Sequence, residues 1–249
     1  MLQQEKILTF IGEPITFHLY DSIDSTNNEA KRRADIDRGI HLYVSAHQTA
    51  GRGRRGHTFY SPRDTGLYMT LSLPLAAAIP ADIQKLTCAA AVAVCDAVSA
   101  LSDSSPRIKW VNDIFVDDKK AAGILAELIT DTDNRPCAVI VGIGLNLNTA
   151  DFPEEIADKA GNFGTIDRNA LCGTVADNLI TLFKNLNDNS VIEKYKALNL
   201  CIGRTVTYEK DGREHIAAAV DIDADGGLVV EENGVFTILH SGEISVKMI

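Results

Sequence analysis

The chain has 249 residues, 24 of them Lys or Arg and 34 Asp or Glu, for a net charge of −10, with 45% hydrophobic and 23% charged residues. That size and balance suit a soluble globular protein with one large domain and room for a second, small one, and the acidic excess argues against broad electrostatic binding to DNA or RNA. The N-terminus, with Gln3, Gln4, Glu5 and Lys6, is not a secretory signal, and the Ala-rich stretch Leu86 to Leu101, interrupted by Asp96, reads as too short and too weakly apolar for a membrane span. Cys88, Cys95, Cys137, Cys172 and Cys201 are scattered without a C-x-x-C pair, which argues against zinc and against a disulfide scaffold and suits a reducing cytoplasm.

Ile15 to Tyr20 reads as a short strand. Thr26-Asn27-Asn28-Glu29 has capping-box spacing and opens a polar helix through about Arg38. His41 to Ala46 is strand-like. Beyond it Leu67, Met69, Leu71, Leu73 and Leu75 alternate with Tyr68, Thr70 and Ser72, the period of a half-buried strand. After Pro80, the set Ile83, Leu86, Ala90, Val94, Ala97, Val98 and Leu101 predicts a long helix packed on the sheet. Four further strands are expected over 107–111, 114–116, 123–129 and 138–147, with Asp117-Asp118-Lys119-Lys120 as a polar turn. Two helices follow, one through Leu171 to Leu186 and a shorter one near Val191 to Leu198. Neighbouring strands with segregated helices indicate an α+β fold. From Ile202 onward, Asp211-Gly212, Asp225-Gly226 and Asn233-Gly234 favour two-residue hairpin turns, so the tail reads as a small antiparallel barrel or meander.

Four segments carry chemistry. Gly51-Arg52-Gly53-Arg54-Arg55-Gly56 joins permissive backbone to planar guanidinium forks that match phosphate or carboxylate, and no acidic residue lies between Ala50 and Arg63. By itself it could equally be a mobile surface loop or a nucleic-acid-gripping tract. Lys109-Trp110-Val111-Asn112-Asp113 sets a cation, an amide and a carboxylate at a strand end, where a surface ion pair is the plainer explanation. Lys120 precedes Ala121-Ala122-Gly123, and a turn lysine is ordinarily solvated. Gly142-Ile143-Gly144-Leu145-Asn146-Leu147-Asn148 puts Gly142, Gly144, Asn146 and Asn148 on one face, a trough ending in amides or else a tightly packed strand.

Taken in order, Ser25-Thr26-Asn27, Gln48 to Gly56, Lys109 to Asp113, Lys120 to Leu125 and Gly142 to Asn146 resemble the biotin protein ligase family over nearly the whole chain. The resemblance decides between the readings of the arginine loop. It implies a mixed sheet packed with helices in a class II synthetase-like catalytic domain (1–200) and a small C-terminal SH3-like β-barrel (201–249). It also implies a reaction in which biotin is adenylated by MgATP and then passed to one lysine of a biotin carboxyl carrier protein. By the family pattern, Ser25, Thr26, Asn27, Gln48, Gly51, Arg52, Gly53, Lys120, Gly123, Gly142 and Gly144 hold biotin. Arg54, Arg55, Phe59, Asn112 and Asn146 meet the nucleotide, Asp113 holds Mg²⁺, and Lys120, Arg52, Arg54 and Arg55 are the catalytic cations.

Two departures stand out. Val111 replaces a common proline, and Phe59 stands where tryptophan is common, which keeps a ring to cover adenine but loses the indole N–H. With the first catalytic strand near Ile15, no DNA-binding domain is expected ahead of it; the expected state is a cytoplasmic monomer or homodimer with no nucleic-acid or membrane partner. A lipoate ligase and a non-catalytic biotin or nucleotide sensor are the competing functions. The first usually carries serine and consecutive glycines in place of Arg52-Gly53-Arg54-Arg55, and the second would not require the intact set of cations.

Overall fold

A computed structural model describes residues 1–33, 39–75, 83–210, 212–240 and 246–248. The N-terminal part of the chain is built on a seven-stranded mixed sheet. Its strands are β1 (Thr16–Tyr20), β2 (His41–Ser45), β3 (Gly66–Pro74), β4 (Arg107–Lys109), β5 (Asp113–Val116), β6 (Lys119–Thr130) and β7 (Pro136–Asn146), in the order β1-β2-β3-β7-β6-β5-β4. Only β1 and β2 run parallel, so β3, β7 and β6 form an antiparallel centre. The fold is α+β, as expected.

Central strand β3 is buried on both faces rather than one. Leu67, Leu71 and Leu73 enter the main core with the long helix α3 (Ile83–Leu101), the helix α5 (Arg168–Lys184) and α6 (Ser190–Leu198). Burial of each such side chain is worth roughly 1.5–3 kcal/mol. The opposite face carries Tyr68, Thr70 and Ser72, also buried, and is covered in part by α2 (Thr26–Arg33). Alternation of apolar and polar residues therefore marks two buried faces, one of them a polar site.

Helix α3 is, by length and composition alone, apolar enough to cross a membrane, contrary to the sequence reading. It is 67% buried within this fold and serves as its core helix.

Several local expectations change for physical reasons. Thr26 does not cap α2: the Glu29 N–H bonds the Ser25 carbonyl, the Thr26 hydroxyl faces the site, and the Glu29 carboxylate pairs with Arg32 and Arg33. The far end of this helix, residues 34–38, lies outside the described residues, as do Pro80 and Asp211. The strand expected to reach Val111 stops at Lys109, and the Trp110–Val111 peptide is cis. The turn after β5 tightens to Asp117-Asp118, both left-handed, so Lys119 and Lys120 open β6. Two short helices, α1 (Gln4–Leu8) and α4 (Glu154–Ala157), had no clear signal in the sequence.

The tail folds into a second, antiparallel sheet from β8 (Thr205–Lys210), β9 (Arg213–Ile222), β10 (Leu228–Glu232), β11 (Val235–Leu239) and β12 (Val246–Met248), ordered β11-β10-β9-β8-β12. Asn233-Gly234 makes the expected two-residue turn with both φ positive. Asp225-Gly226 does not: it sits in a five-residue loop, 223–227, organised by the Asp223 carboxylate accepting from the N–H groups of Asp225 and Gly227. The Asp225 carbonyl in that loop accepts from Gln84 at 3.2 Å. Its Gly226 carbonyl accepts the indole N–H of Trp110 at 2.9 Å, and the buried Tyr195 hydroxyl donates to the Val111 carbonyl beside it at 2.9 Å. The tail is thus pinned to the segment that carries Asn112 and Asp113.

Trp110→Phe replaces the indole with a smaller ring that has no N–H, and strands the buried Gly226 carbonyl. It is expected to cost about 1–3 kcal/mol in urea unfolding followed by far-UV circular dichroism; an unchanged midpoint would show that the tail does not depend on this bond.

Candidate active site

A cavity of about 320 Å³ opens on the polar face of the sheet, between α2, the loop 52–59 and strands β5, β6 and β7. It gathers Ser25, Thr26, Asn27, Gln48, Arg52, Gly53, Arg54, Arg55, Phe59, Asn112, Asp113, Lys120, Gly123, Gly142 and Gly144, which come from five separate stretches of sequence. Gly51 and Asn146 are not among the wall residues. Gly51 packs behind the wall, where a Cβ would meet the Phe59 carbonyl at 2.3 Å. Asn146 is buried one strand step beyond Gly144, donating to the Gly161 carbonyl at 3.0 Å while its Oδ1 has no partner.

The glycines are needed for close approach. A Cβ on Gly142 would lie 1.9 Å from Asn27 Oδ1, and one on Gly144 would lie 2.5 Å from the Phe59 ring. Gly123, paired with Gly144 across the β6–β7 ladder, carries the same ring at 3.4 Å and the Lys120 side chain at 3.3 Å from its own Cβ position. Phe59, expected to meet the nucleotide, thus lies against the glycine floor formed by Gly123 and Gly144. Any side chain at these three positions would fill the trough or push its neighbours apart.

One end of the cavity is a polar wall whose protons can be assigned. The Thr26 backbone N–H donates to Gln48 at 2.9 Å, which makes that atom Oε1 and leaves Nε2 to donate to the Ser61 hydroxyl at 3.0 Å. Ser61 passes its proton to the Phe59 carbonyl at 2.9 Å. Both Asn27 Nδ2 protons go to acceptors on β6, the Leu125 carbonyl at 3.3 Å and the Glu127 carboxylate at 3.1 Å, so Oδ1 points at Thr70. The Thr70 hydroxyl lies 2.7 Å from that acceptor and 2.8 Å from the Thr26 hydroxyl. With one proton, Thr70 can serve only one of these two acceptors at a time, and the Thr26 hydroxyl donates to Gln48 Oε1 at 3.1 Å. An oxygen lone pair on Thr26 and one remaining Gln48 N–H are left for a ligand. A planar group with N–H donors flanking a carbonyl complements them.

The other end is cationic. Arg54 donates to Asn112 Oδ1 at 3.0 Å, while Lys120 Nζ meets Asp113 Oδ1 at 2.6 Å. Burial lowers the Arg54 pKa from its ordinary value, Asp113 opposes that shift, and neighbouring Arg55 adds to it. A guanidinium starting so far above neutrality remains charged. Desolvation of this kind raises the pull of a fixed cation on an incoming anion. Arg55 adopts φ 55° and Gly56 φ 78°, the turn that folds the loop back toward the sheet. Arg52 points away from this cluster to Asn28 and Glu127.

Among the described residues no group of three or more His, Cys, Asp or Glu side chains could hold a metal ion. Asp113 offers a single carboxylate. That donor set fits Mg²⁺, which is commonly held by one or two carboxylates plus substrate phosphates.

Thr70 and Glu127 escaped the sequence reading. The signals were present: Thr70 lies in the polar half of an alternating strand, and Glu127 is the sole acidic residue in the apolar run of β6.

Comparison with known proteins gives a consistent answer. The biotin/lipoate A/B protein ligase family matches residues 19–146, and the biotin protein ligase C-terminal domain matches residues 201–247. The bifunctional ligase/repressor BirA of Salmonella typhimurium is 30% identical over 90% of this chain and 72% of its own length. The biotin–[acetyl-CoA-carboxylase] ligase of Mycobacterium tuberculosis is 30% identical over 88% of this chain and 85% of its own. The structure of biotin protein ligase from Aquifex aeolicus in complex with biotin and ATP superposes with a TM-score of 0.78 at 25% identity, covering 94% of this chain and 99% of that one. With both halves matched in order and the fold shared along almost its full length, the chain belongs to the biotin/lipoate A/B protein ligase family, in its biotin protein ligase branch.

Proposed function

We propose that the protein activates biotin with ATP and transfers it to a lysine of a biotin carboxyl carrier protein of the acetyl-CoA carboxylase type. The observation that carries this reading is one cavity with a proton-ordered amide-reading wall at one end and Arg54, Arg55 and Lys120 at the other. Relatives named for biotin ligation and a structural neighbour described with biotin and ATP support it.

The ureido ring would lie against Thr26 and Gln48, with Ser25 and Asn27 behind it. The tail would run over Gly123, Gly142 and Gly144, with Phe59 as the movable apolar wall, Arg52 and Gly53 bounding the slot, and Gly51 packed behind its wall. The biotin carboxylate would then reach the cationic end. There its oxygen attacks the α-phosphorus, an acyl–O–P bond forms, and the bond to pyrophosphate breaks. Both reactants are anions, so the reaction depends on charge already in place. Lys120, Arg54 and Arg55 supply it, and the short Lys120–Asp113 pair holds the lysine aimed across the Gly123 floor. Asn112 orients Arg54 toward the nucleotide, and Asn146 would support the adenosine side from behind the strand. When bound, Mg²⁺ would neutralise phosphate charge, with Asp113 as its protein oxygen. In the second half-reaction a neutral carrier amine attacks the acyl carbon, an amide forms and AMP leaves. No side-chain nucleophile is required. In this reading residues 1–200 carry the chemistry and 201–249 form the SH3-like cap that steadies Trp110.

Purified protein incubated with ATP, Mg²⁺, biotin and an acceptor carrier domain is expected to add one biotin mass to a single carrier lysine, dependent on biotin and ATP. A gain only in the parallel lipoate reaction, or none in either, would refute the biotin assignment. Lys120→Ala should lower single-turnover biotinyl-adenylate formation by about 10²–10³-fold while the protein remains folded; an unchanged rate would remove Lys120 from the chemistry.

A further inference from the structure

Glu127 has no part in the chemistry above, yet it touches two of the residues assigned to biotin. It lies on β6 in the same alternating row as Gly123 and Leu125, four residues beyond the cavity floor. Its Oε2 accepts from Asn27 Nδ2 at 3.1 Å and its Oε1 from Lys31 Nζ at 2.7 Å. Arg52 approaches with both arms, NH1 3.4 Å from Oε2 and NH2 3.4 Å from Oε1, and NH1 also bonds Asn28 Oδ1 at 3.2 Å. One carboxylate therefore meets an amide from α2, a lysine from the same helix and the first arginine of the loop.

These contacts differ in what they do. A carboxylate can only accept, so Glu127 and the Leu125 carbonyl between them consume both Asn27 amide protons. That leaves Asn27 Oδ1 as an acceptor for the Thr70 hydroxyl, which also lies 2.8 Å from the Thr26 hydroxyl in the ureido wall. The Lys31 contact is a short ion pair. The Arg52 contact is two-pointed but long, a hold that tethers the loop without locking it. Arg52 opens the loop, and the backbone of Phe59 at its far end is fixed through Ser61 and Gln48. Glu127 thus sits at the root of a chain of hydrogen bonds that reaches both ends of the loop.

We propose that Glu127 is a positioning residue for biotin recognition: through Asn27 it sets the donor–acceptor polarity of the ureido wall, and through Arg52 it holds the entry of the arginine loop over the cavity. The proposal rests on the biotin reading of the site. It separates from a plain stabilising ion pair because Lys31→Met removes the short ion pair and leaves the Asn27 and Arg52 contacts in place.

The test is biotin-dependent ATP–pyrophosphate exchange on wild type, Glu127→Gln, Glu127→Asp and Lys31→Met, with thermal melts on each. Glu127→Gln is expected to raise the KM for biotin about tenfold. Its kcat should stay within about twofold of wild type, because the cationic end is untouched. Glu127→Asp, which keeps the charge on a shorter arm, should recover part of the loss, and Lys31→Met should lower the melting temperature at wild-type KM. An unchanged biotin KM in Glu127→Gln, or an equal rise in Lys31→Met, would overturn the role of Glu127 while active wild type still upheld the ligase reading. Inactive wild type would overturn both.

Discussion

The architecture of the site follows from one close approach, that of the Asn27 side chain onto the bare backbone of Gly142. Their separation leaves no room for a Cβ. Because α2 can sit this near the sheet, Asn27 reaches β6, Thr70 reaches Asn27, and Thr26 and Gln48 inherit a defined set of donors and acceptors. A larger residue at position 142 would lift the helix or expel the amide, and the order of the wall would go with it. Buried polar networks are costly when half satisfied, so this one depends on each link being made.

The second constraint is electrostatic. On the proposed reading, a chain of net charge −10 would have to bring one anionic substrate group onto another, and the cavity gathers Arg54, Arg55 and Lys120 at one end. Arg54 is held by an amide, Lys120 by one carboxylate, and Arg52 shares Glu127 with Lys31. Docking of the tail through Trp110 acts on the same region, because its bond to Gly226 falls next to Asn112 and Asp113, while Tyr195 from α6 holds the adjoining Val111. Geometry at the nucleotide end is thereby tied to the stability of a sheet more than a hundred residues away in sequence.

Much of this was legible in the chain. The Gly/Arg loop, Lys109 to Asp113, Lys120 with Gly123, and the Gly142–Gly144 pair are local signals, since each needs a particular residue type at a particular backbone position. What could not be read is what depends on distant pairing. Glu127 acquires its meaning from Asn27, a hundred positions earlier, and Thr70 from α2. Thr26 looked like a helix cap because a hydroxyl at that spacing usually is one; here Gln48 and Thr70 recruit it instead, and Glu29 turns to Arg32 and Arg33. The alternation in β3 was real, but its polar half faces a site rather than water. Phe59 was set against adenine by its position after the loop, whereas the fold of that loop lays it over Gly123 and Gly144.

The central claim is that biotin is recognised by a wall whose order depends on Asn27 lying against a glycine. Calorimetric titration of biotin, without ATP, into wild type and Gly142→Ala tests it most directly, with melting curves to verify that the variant is folded. The account predicts saturable one-to-one binding to wild type and an affinity at least about tenfold weaker in the variant, the equivalent of roughly 1.4 kcal/mol. Equal affinity in a folded Gly142→Ala protein would contradict it.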